Sequence, residues 1–456
     1  MEDQVLKAAQ AARQAALRLA VLPLDARNHA LLAMADAVAR RRDDILAENQ
    51  KDIDASDRLV AEGKITKAVA ARLKLGGSKF DGVVEGLRSV AAQPDPLGQT
   101  PWAMEMDKGL EVRRVSCPIG VIGVIFESRP DALPQIASLC LKSGNALLLK
   151  GGSEALHSNR ILARVLDEAA RTVDGVPNGW MTLLETRQDI KDLLALDQYV
   201  DLIVPRGGNE FVQYIMDNTN ILVMGHRDGI CHTYVHAAAD PPKAIRLTVD
   251  GKCQYPAVCN ATETLLIDRA VAPTLLMPIA TALAEKGVEL RADPEAREII
   301  LRHARGKQNA AAGERVCPYQ HLLRDATEED WRTEYLDLII SIRVLAGLDE
   351  AIAHVNHYGS HHTDTIVTED AAAAERFLRE VDSASVLHNV STRFSDGFRY
   401  GLGAEVGISN QKLHARGPVG LEGLTIYKYV VRGSGQIVAD YSGPNARKFS
   451  HRPLPC

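Results

Sequence analysis

This chain lacks any long apolar stretch. Its longest runs, such as Val121–Phe126 (VIGVIF), fall far short of the roughly 18–20 residues that a membrane span needs. The opening MEDQVLKAAQAARQ has no signal-peptide core, so no membrane association is expected. It also lacks an excess of charge. Fifty-three basic and 59 acidic residues leave a net charge of −6. The basic cluster Arg40-Arg41-Arg42 runs straight into Asp43-Asp44 and reads as a solvated helix face, so no nucleic-acid partner is expected. Paired cysteines are missing as well. The seven cysteines are an odd number without a CxxC, and Cys253 and Cys259, six apart, match no common zinc spacing. A reduced, cytoplasmic chain with free thiols is expected. There is no internal repeat, low-complexity tract or long linker.

What is present is ordinary for a globular protein: 46% hydrophobic and 25% charged residues over 456 positions, enough for two domains. The first part is helical. Val5, Ala9, Ala12, Ala16 and Leu19 fall at helical spacing, Pro23 ends that run, and Asp25 opens a second helix carrying Leu31, Met34, Val38 and Ile45. Residues 102–115 read as extended segments around an Asp107-Lys108-Gly109 turn. Short apolar strands then alternate with helices: Val121–Phe126, Ala146–Lys150, Met181–Leu184, Leu202–Val204 and Ile221–Met224, which argues for a mostly parallel sheet. A second block begins near Gly251, with strands at Thr264–Ile267, Leu338–Val344, Thr365–Thr368 and Ser385–Asn389. A late strand spans Leu424–Val431, and the polar tail after Ser442 is expected to be loose.

Two turns share the order apolar strand, Gly-Gly, helix: LLLKGGSEA and LIVPRGGNEF. Glycines allow close backbone approach, and the N–H groups opening the next helix favour an anion such as a phosphate. Such turns suit a nucleotide cofactor or ordinary chain reversal, and the residues alone leave both open. Lys150, at a strand end, is a cation within reach of a ribose or 2′-phosphate. GLGAEVG (401–407) resembles a dinucleotide fingerprint but follows no apolar strand and opens no helix, so it reads as a loop. The histidines of HVNHYGSHHTD lack a Cys pair or HExxH, and no metal is expected. A reactive cysteine needs its thiolate stabilised by backbone N–H groups or cations. Cys259 follows Pro256 at an irregular approach to a strand, a better place to present a thiol than Cys253. The local pattern alone does not decide it.

Three stretches carry a resemblance: VSCPIGVIGVIFESRPDALPQIASLCLKSGNALLLKGGSEALHSN (115–159), KCQYPAVCNATETLLID (252–268) and TRFSDGFRYGLGAEVGISNQKLHARGPVGLEGLTIYKY (392–429). They resemble the γ-glutamyl phosphate reductases, the proline-synthesis branch of the aldehyde dehydrogenase superfamily, and the likeness covers nearly the whole chain. It implies an α/β, aldehyde-dehydrogenase-like fold with three parts. These are a Rossmann-type NADP(H)-binding domain (1–98 and 117–250), an α/β catalytic domain (251–423) and a β oligomerisation arm (99–116 and 424–441). It implies NADPH-dependent reduction of L-glutamate 5-phosphate to L-glutamate 5-semialdehyde with release of phosphate, through a cysteine thioester. Cys259 matches the nucleophile, with Asn260 and Ser128 beside it. Lys150, Ser153, Glu154, Gly207, Gly208 and Glu334 match cofactor-binding positions. Arg129 and Arg416 are expected at the amino-acid end of the substrate. A homodimer or homotetramer is expected, with a separate glutamate 5-kinase as partner. Hydrolytic members carry a water-activating Glu where this chain has GICHTYV (229–235), which contains none; His232 is a weak candidate for proton transfer. The rivals are a hydrolytic dehydrogenase of another semialdehyde and a catalytically silent scaffold.

Overall fold

The computed structural model describes residues 2–63, 65, 67–127, 129–225, 228–306, 319–412 and 415–456. Ser128 therefore lies outside the described residues. The chain forms two compact units: residues 1–224, 402–407 and 419–456, and residues 225–401 and 408–418.

In the first unit, β1 (Trp102–Asp107) and β2 (Leu110–Pro118) form the expected hairpin, and β3 (Val121–Phe126), β4 (Ala146–Lys150), β5 (Met181–Leu184), β6 (Leu202–Arg206) and β7 (Leu222–Val223) follow. The last five make one parallel sheet in the order β5-β4-β3-β6-β7. Strands β3 and β4 are buried at every position, which is why they read as unbroken Val, Ile and Leu rather than alternating. The sheet grows from β3 towards β5 and then reverses through β6, so its switch point lies between β3 and β6. Ligands of open α/β sheets bind outside the carboxyl ends of the strands at such a point. The N-terminal helix Glu2–Leu19 buries Val5, Ala9, Ala12 and Leu19 and packs on β4.

The second unit holds β8 (Cys231–Val235), β9 (Thr262–Asp268), β10 (Glu289–Ala292), β11 (Leu323–Asp325), β12 (Ile339–Leu345), β13 (Thr363–Val367) and β14 (Ser385–His388). All are parallel, in the order β11-β10-β12-β9-β8-β13-β14. This moves the expected boundary at 250/251 back to 224/225. The reason is register: β8 pairs with β9 on one side and β13 on the other, so it belongs to the centre of the second sheet.

Two short strands, β15 (Gly407–Ser409) and β16 (Gly417–Val419), pair with each other. β17 (Thr425–Arg432) and β18 (Arg452–Pro453) complete an antiparallel sheet, β17-β2-β1-β18, within the first unit. Here the tail departs from expectation: it is docked. β18 pairs with β1, Tyr441 and Phe449 stack at 4.6 Å, and Arg447 binds Asp107 at 2.6 Å. Backbone pairing and ring stacking compensate for its low apolar content. The opposite edge is β17, where Tyr427, Tyr429 and Val431 are exposed.

Candidate active site

The approach to Cys259 is set by its flanks. Asp240 caps the helix Pro241–Cys253, its carboxylate accepting the Lys243 N–H at 2.9 Å. Pro256 cannot continue a helix, and the chain runs irregularly from 254 until β9 begins at Thr262. Cys259 is half-buried in that stretch. Its carbonyl accepts the Cys231 thiol at 3.2 Å. Asn260 is buried and donates through Nδ2 to the Ser395 carbonyl at 2.8 Å, while its Oδ1 is sealed without a partner. The backbone N–H groups of Cys259 and Asn260 meet no acceptor among the described residues. Two adjacent donors without an acceptor among the described residues, at and next to a half-buried cysteine, are the elements from which an oxyanion site is built.

The neighbouring thiols are not competitors. Burial pushes Cys231 far up, and Asp364, Cys259, Glu263 and Glu334 add to that. Burial also raises Cys253, with Lys252 only partly offsetting it. His232 points to the other face of β8, as alternation requires. It is fully buried, its Nδ1 is 2.7 Å from Asp364 Oδ1, and its Nε2 is sealed without a partner. It is a core histidine, remote from proton traffic with solvent. Among the described residues no group of three or more His, Cys, Asp or Glu is arranged to hold a metal.

Gly229 presses against the backbone of Cys259. A Cβ there would stand 2.1 Å from the Cys259 carbonyl oxygen and 2.5 Å from its Cα. No side chain fits. We expect Gly229→Ala to fold but to displace Cys259, lowering turnover about 100-fold, the usual cost of misplacing a reacting group by about 1 Å. The kcat of the purified variant checks this, and a value within two-fold of the parent would show that the loop yields.

The segment that holds Cys259 is flanked by a buried ion pair. Lys252 Nζ is 2.5 Å from Glu263 Oε2, and both side chains are wholly enclosed. Glu263 Oε1 accepts the Leu336 N–H at 3.3 Å. Leu336 has a positive φ of 54°, unusual for a branched residue. Burial lifts Glu263 to about 7, against the pull of Lys252, with Glu334 adding to the rise. The pair thus ties the helix before Cys259, the strand after it and the loop carrying Glu334 into one block.

In the first unit the switch point gathers the other candidates. The Glu127 N–H donates to the Arg206 carbonyl at 3.1 Å, joining the ends of β3 and β6. Gly208 caps the helix Asn209–Asp217, and a Cβ on it would meet nothing within 4 Å. At Gly207 a Cβ would come within 2.9 Å of the Glu127 carboxylate. That carboxylate accepts the Gly208 N–H, and burial raises its pKa. Lys150, buried at the end of β4, donates to the Gly151 carbonyl at 2.7 Å. Burial lowers its pKa and Arg187 adds to this, while Glu154, Asp189 and Glu127 oppose it. The Glu154 carboxylate folds over Gly152, where a Cβ would meet it at 2.0 Å. An open helix start with a small cap, a buried cation and a ribose-length acid beside it fit a dinucleotide. The Glu127 carboxylate holds the Gly208 N–H that a phosphate would take.

Residues 1–298 match the model of the aldehyde dehydrogenase family. A γ-glutamyl phosphate reductase from Methanosarcina barkeri is 51% identical over 453 residues, 99% of this chain and 98% of the relative. One from a Synechococcus strain is 52% identical over 451 residues, 99% and 95% of the two chains. The chain belongs to the aldehyde dehydrogenase family, in its γ-glutamyl phosphate reductase branch. The crystal structure of the Thermotoga maritima γ-glutamyl phosphate reductase superposes with a TM-score of 0.86 at 36% identity, covering 95% of this chain and 99% of that one. An acetylating aldehyde dehydrogenase from Geobacillus thermoglucosidasius, 17% identical with a TM-score of 0.63 and covering 96% and 98%, shares the fold.

Within this family frame the expected residues fall into two groups. Cys259, Asn260 and Glu334 gather in the second unit, and Glu334 lies close enough to Glu263 and Cys231 to act on both. Lys150, Glu154, Gly207 and Gly208 gather in the first, with Ser153 exposed at the adjoining short turn. Neither of the two arginines has a hydrogen bond or ion pair to these groups among the described residues. Arg129 is largely exposed and bonds Asp131 at 3.2 Å. Arg416 is held by Asp382 at 3.2 Å, beside Lys412, and no hydrogen bond or ion pair among the described residues joins it to the Cys259 segment. Gly229, Lys252, Glu263 and Arg393 are not marked by the sequence around them. Their signal is contact across the fold, which local pattern does not carry.

Proposed function

We propose that this protein reduces L-glutamate 5-phosphate to L-glutamate 5-semialdehyde, with NADPH as reductant and release of phosphate, in proline biosynthesis. The observation that supports this best is the half-exposed Cys259 with two free N–H donors, in a chain about half identical from end to end to relatives named for that reaction. The strand GICHTYV supports a water-excluding site: β8 is buried at every position and bears no acid to activate water.

The Cys259 sulfur attacks the acyl carbon, the bond to the phosphoryl oxygen breaks, and phosphate leaves with the electron pair. The N–H groups of Cys259 and Asn260 hold the oxygen that gains charge, worth about 3–4 kcal/mol for donors of this kind. The nicotinamide, when bound, supplies hydride. Lys150, Ser153 and Glu154 would hold its adenosine ribose, Gly207 and Gly208 its pyrophosphate, and Glu334 its nicotinamide ribose. Asn260 fixes the loop through Ser395 and leaves its own backbone N–H without an acceptor among the described residues.

The first unit serves as the cofactor-binding domain and the second as the catalytic domain. The open β17 edge serves self-association into a dimer or tetramer. Because an acyl phosphate is labile in water, a separate glutamate 5-kinase is its supplier in the cytoplasm. No helix among the described residues is long and apolar enough to cross a membrane. The reading is tested in reverse: pyrroline-5-carboxylate, NADP and enzyme, with and without inorganic phosphate, followed at the nicotinamide absorbance. Reduction that requires phosphate is expected. Reduction without it would move the protein to the hydrolytic branch.

A further inference from the structure

Segment 391–395 is laced to the nucleophile's flanks. The Ser391 hydroxyl caps a short 3-10 turn over Thr392–Phe394. Thr392 Oγ1 lies 3.2 Å from Thr262 Oγ1, and the Ser395 carbonyl accepts Asn260 at 2.8 Å. Between these two anchors stands Arg393, only 8% exposed. Its Nε donates to Gln254 Oε1 at 2.9 Å, and its own carbonyl accepts Arg399 Nη1 at 2.6 Å.

The forked end of Arg393 has no matching partner. Among the described residues no carboxylate lies within ion-pair distance of it. Among the described residues its two terminal nitrogens have no bonding partner, and they are not among the atoms sealed without one, so they meet what little solvent reaches this place. Burial and Arg399 oppose its charge; Cys259 is the first group that favours it, ahead of Asp396 and Asp250. A buried guanidinium without a counter-ion is unfavourable, and such a group is strongly stabilised by an anion that completes it. A guanidinium fork matches phosphate oxygens in pairs, which an ammonium does not.

We infer that Arg393 binds the phosphoryl group of the acyl phosphate, so that the bond breaking at the acyl carbon lies between the Cys259 sulfur and a bound, charge-neutralised leaving group. The inference rests on the acyl-phosphate reading above. Phosphate departs with the electron pair of the C–O bond, and Arg393 offsets that charge as it develops. In the reverse direction the same fork holds inorganic phosphate as the nucleophile that releases the thioester.

The test compares the whole enzyme with Arg393→Lys and Arg393→Gln. In the phosphate-dependent reaction, the KM for phosphate is expected to rise at least ten-fold in Arg393→Lys, with the KM for pyrroline-5-carboxylate within two-fold of the parent. Without turnover, inorganic phosphate is expected to slow alkylation of Cys259 by iodoacetamide in the parent and not in the variants, read by peptide mass spectrometry. An unchanged KM for phosphate in folded Arg393→Lys, or a rise confined to the aldehyde, would overturn the inference. If the glutamine variant fails to fold, the lysine variant, which keeps the charge and loses the fork, decides alone. If the parent reduces NADP without phosphate, the acyl-phosphate reading falls, while the alkylation assay still reports whether Arg393 is an anion site.

Discussion

Cys259→Ala is expected to fold and to lose phosphate-dependent reduction by at least about 10⁴-fold, in line with the loss of a covalent nucleophile elsewhere. The side chain is half-buried in an irregular stretch, so removing its sulfur leaves little cavity and the unfolding midpoint moves little. What is lost is the bond to the acyl carbon; the two N–H donors and the Gly229 contact remain, because they belong to the backbone. Cys259→Ser is expected to do little better, since a hydroxyl is a far weaker nucleophile without an adjacent base. Cys253→Ala is the control. Its thiol is raised by burial and lies at the end of a helix, and its loss is expected to leave turnover within about two-fold. Steady-state rates and thermal unfolding of the three variants check this. More than 1% of parental activity in Cys259→Ala would end the thioester mechanism.

The residues that were legible in the sequence are those whose environment is local. β3 and β4 are buried on both faces, so they announce themselves as apolar runs ended by Gly, and the Gly-Gly turns mark the ends of β4 and β6. β8 is just as buried, yet CHTYV does not read as a central strand. Its polar groups are satisfied by residues far away in sequence: His232 by Asp364 and Thr233 by Thr262. The strand is intelligible only with its partners in place, so the sequence pattern puts the domain boundary after it and the structure puts it before. The same holds at the site. Cys259 was marked by Pro256 and an irregular approach, but it sits before the amino end of β9, where the carboxyl-end rule for open sheets does not look. Arg393 lies 134 positions beyond Cys259 and acquires meaning only through Gln254, Thr262 and Asn260. Arg416, which answers the need for a cation at a substrate carboxylate, is paired with Asp382 in this structure.

The second large effect is on stability. Lys252→Met leaves Glu263 enclosed with no counter-charge, and breaking a buried pair from one side costs about 3–5 kcal/mol. Lys252→Met with Glu263→Leu removes both charges and fills similar volume, so it is expected to recover most of that loss. The coupling between the two changes is the diagnostic, read from urea midpoints of the four proteins. The pH dependence has a fixed sign. Burial raises Glu263 from 4.5 to about 7, so the folded chain binds its proton more tightly than the unfolded chain does. Its contribution to stability is fully present below about pH 4.5 and is lost as pH rises towards 7. Lys252→Met strengthens the same preference, so its deficit is expected to shrink as pH falls and to be greatest above neutrality. A deficit that does not change with pH would mean that lost packing, and not a stranded carboxylate, sets the cost. Activity separates the pair's two roles: because Glu263 also holds the Leu336 N–H in the loop of Glu334, Glu263→Leu alone is expected to raise the KM for NADPH more than it lowers kcat.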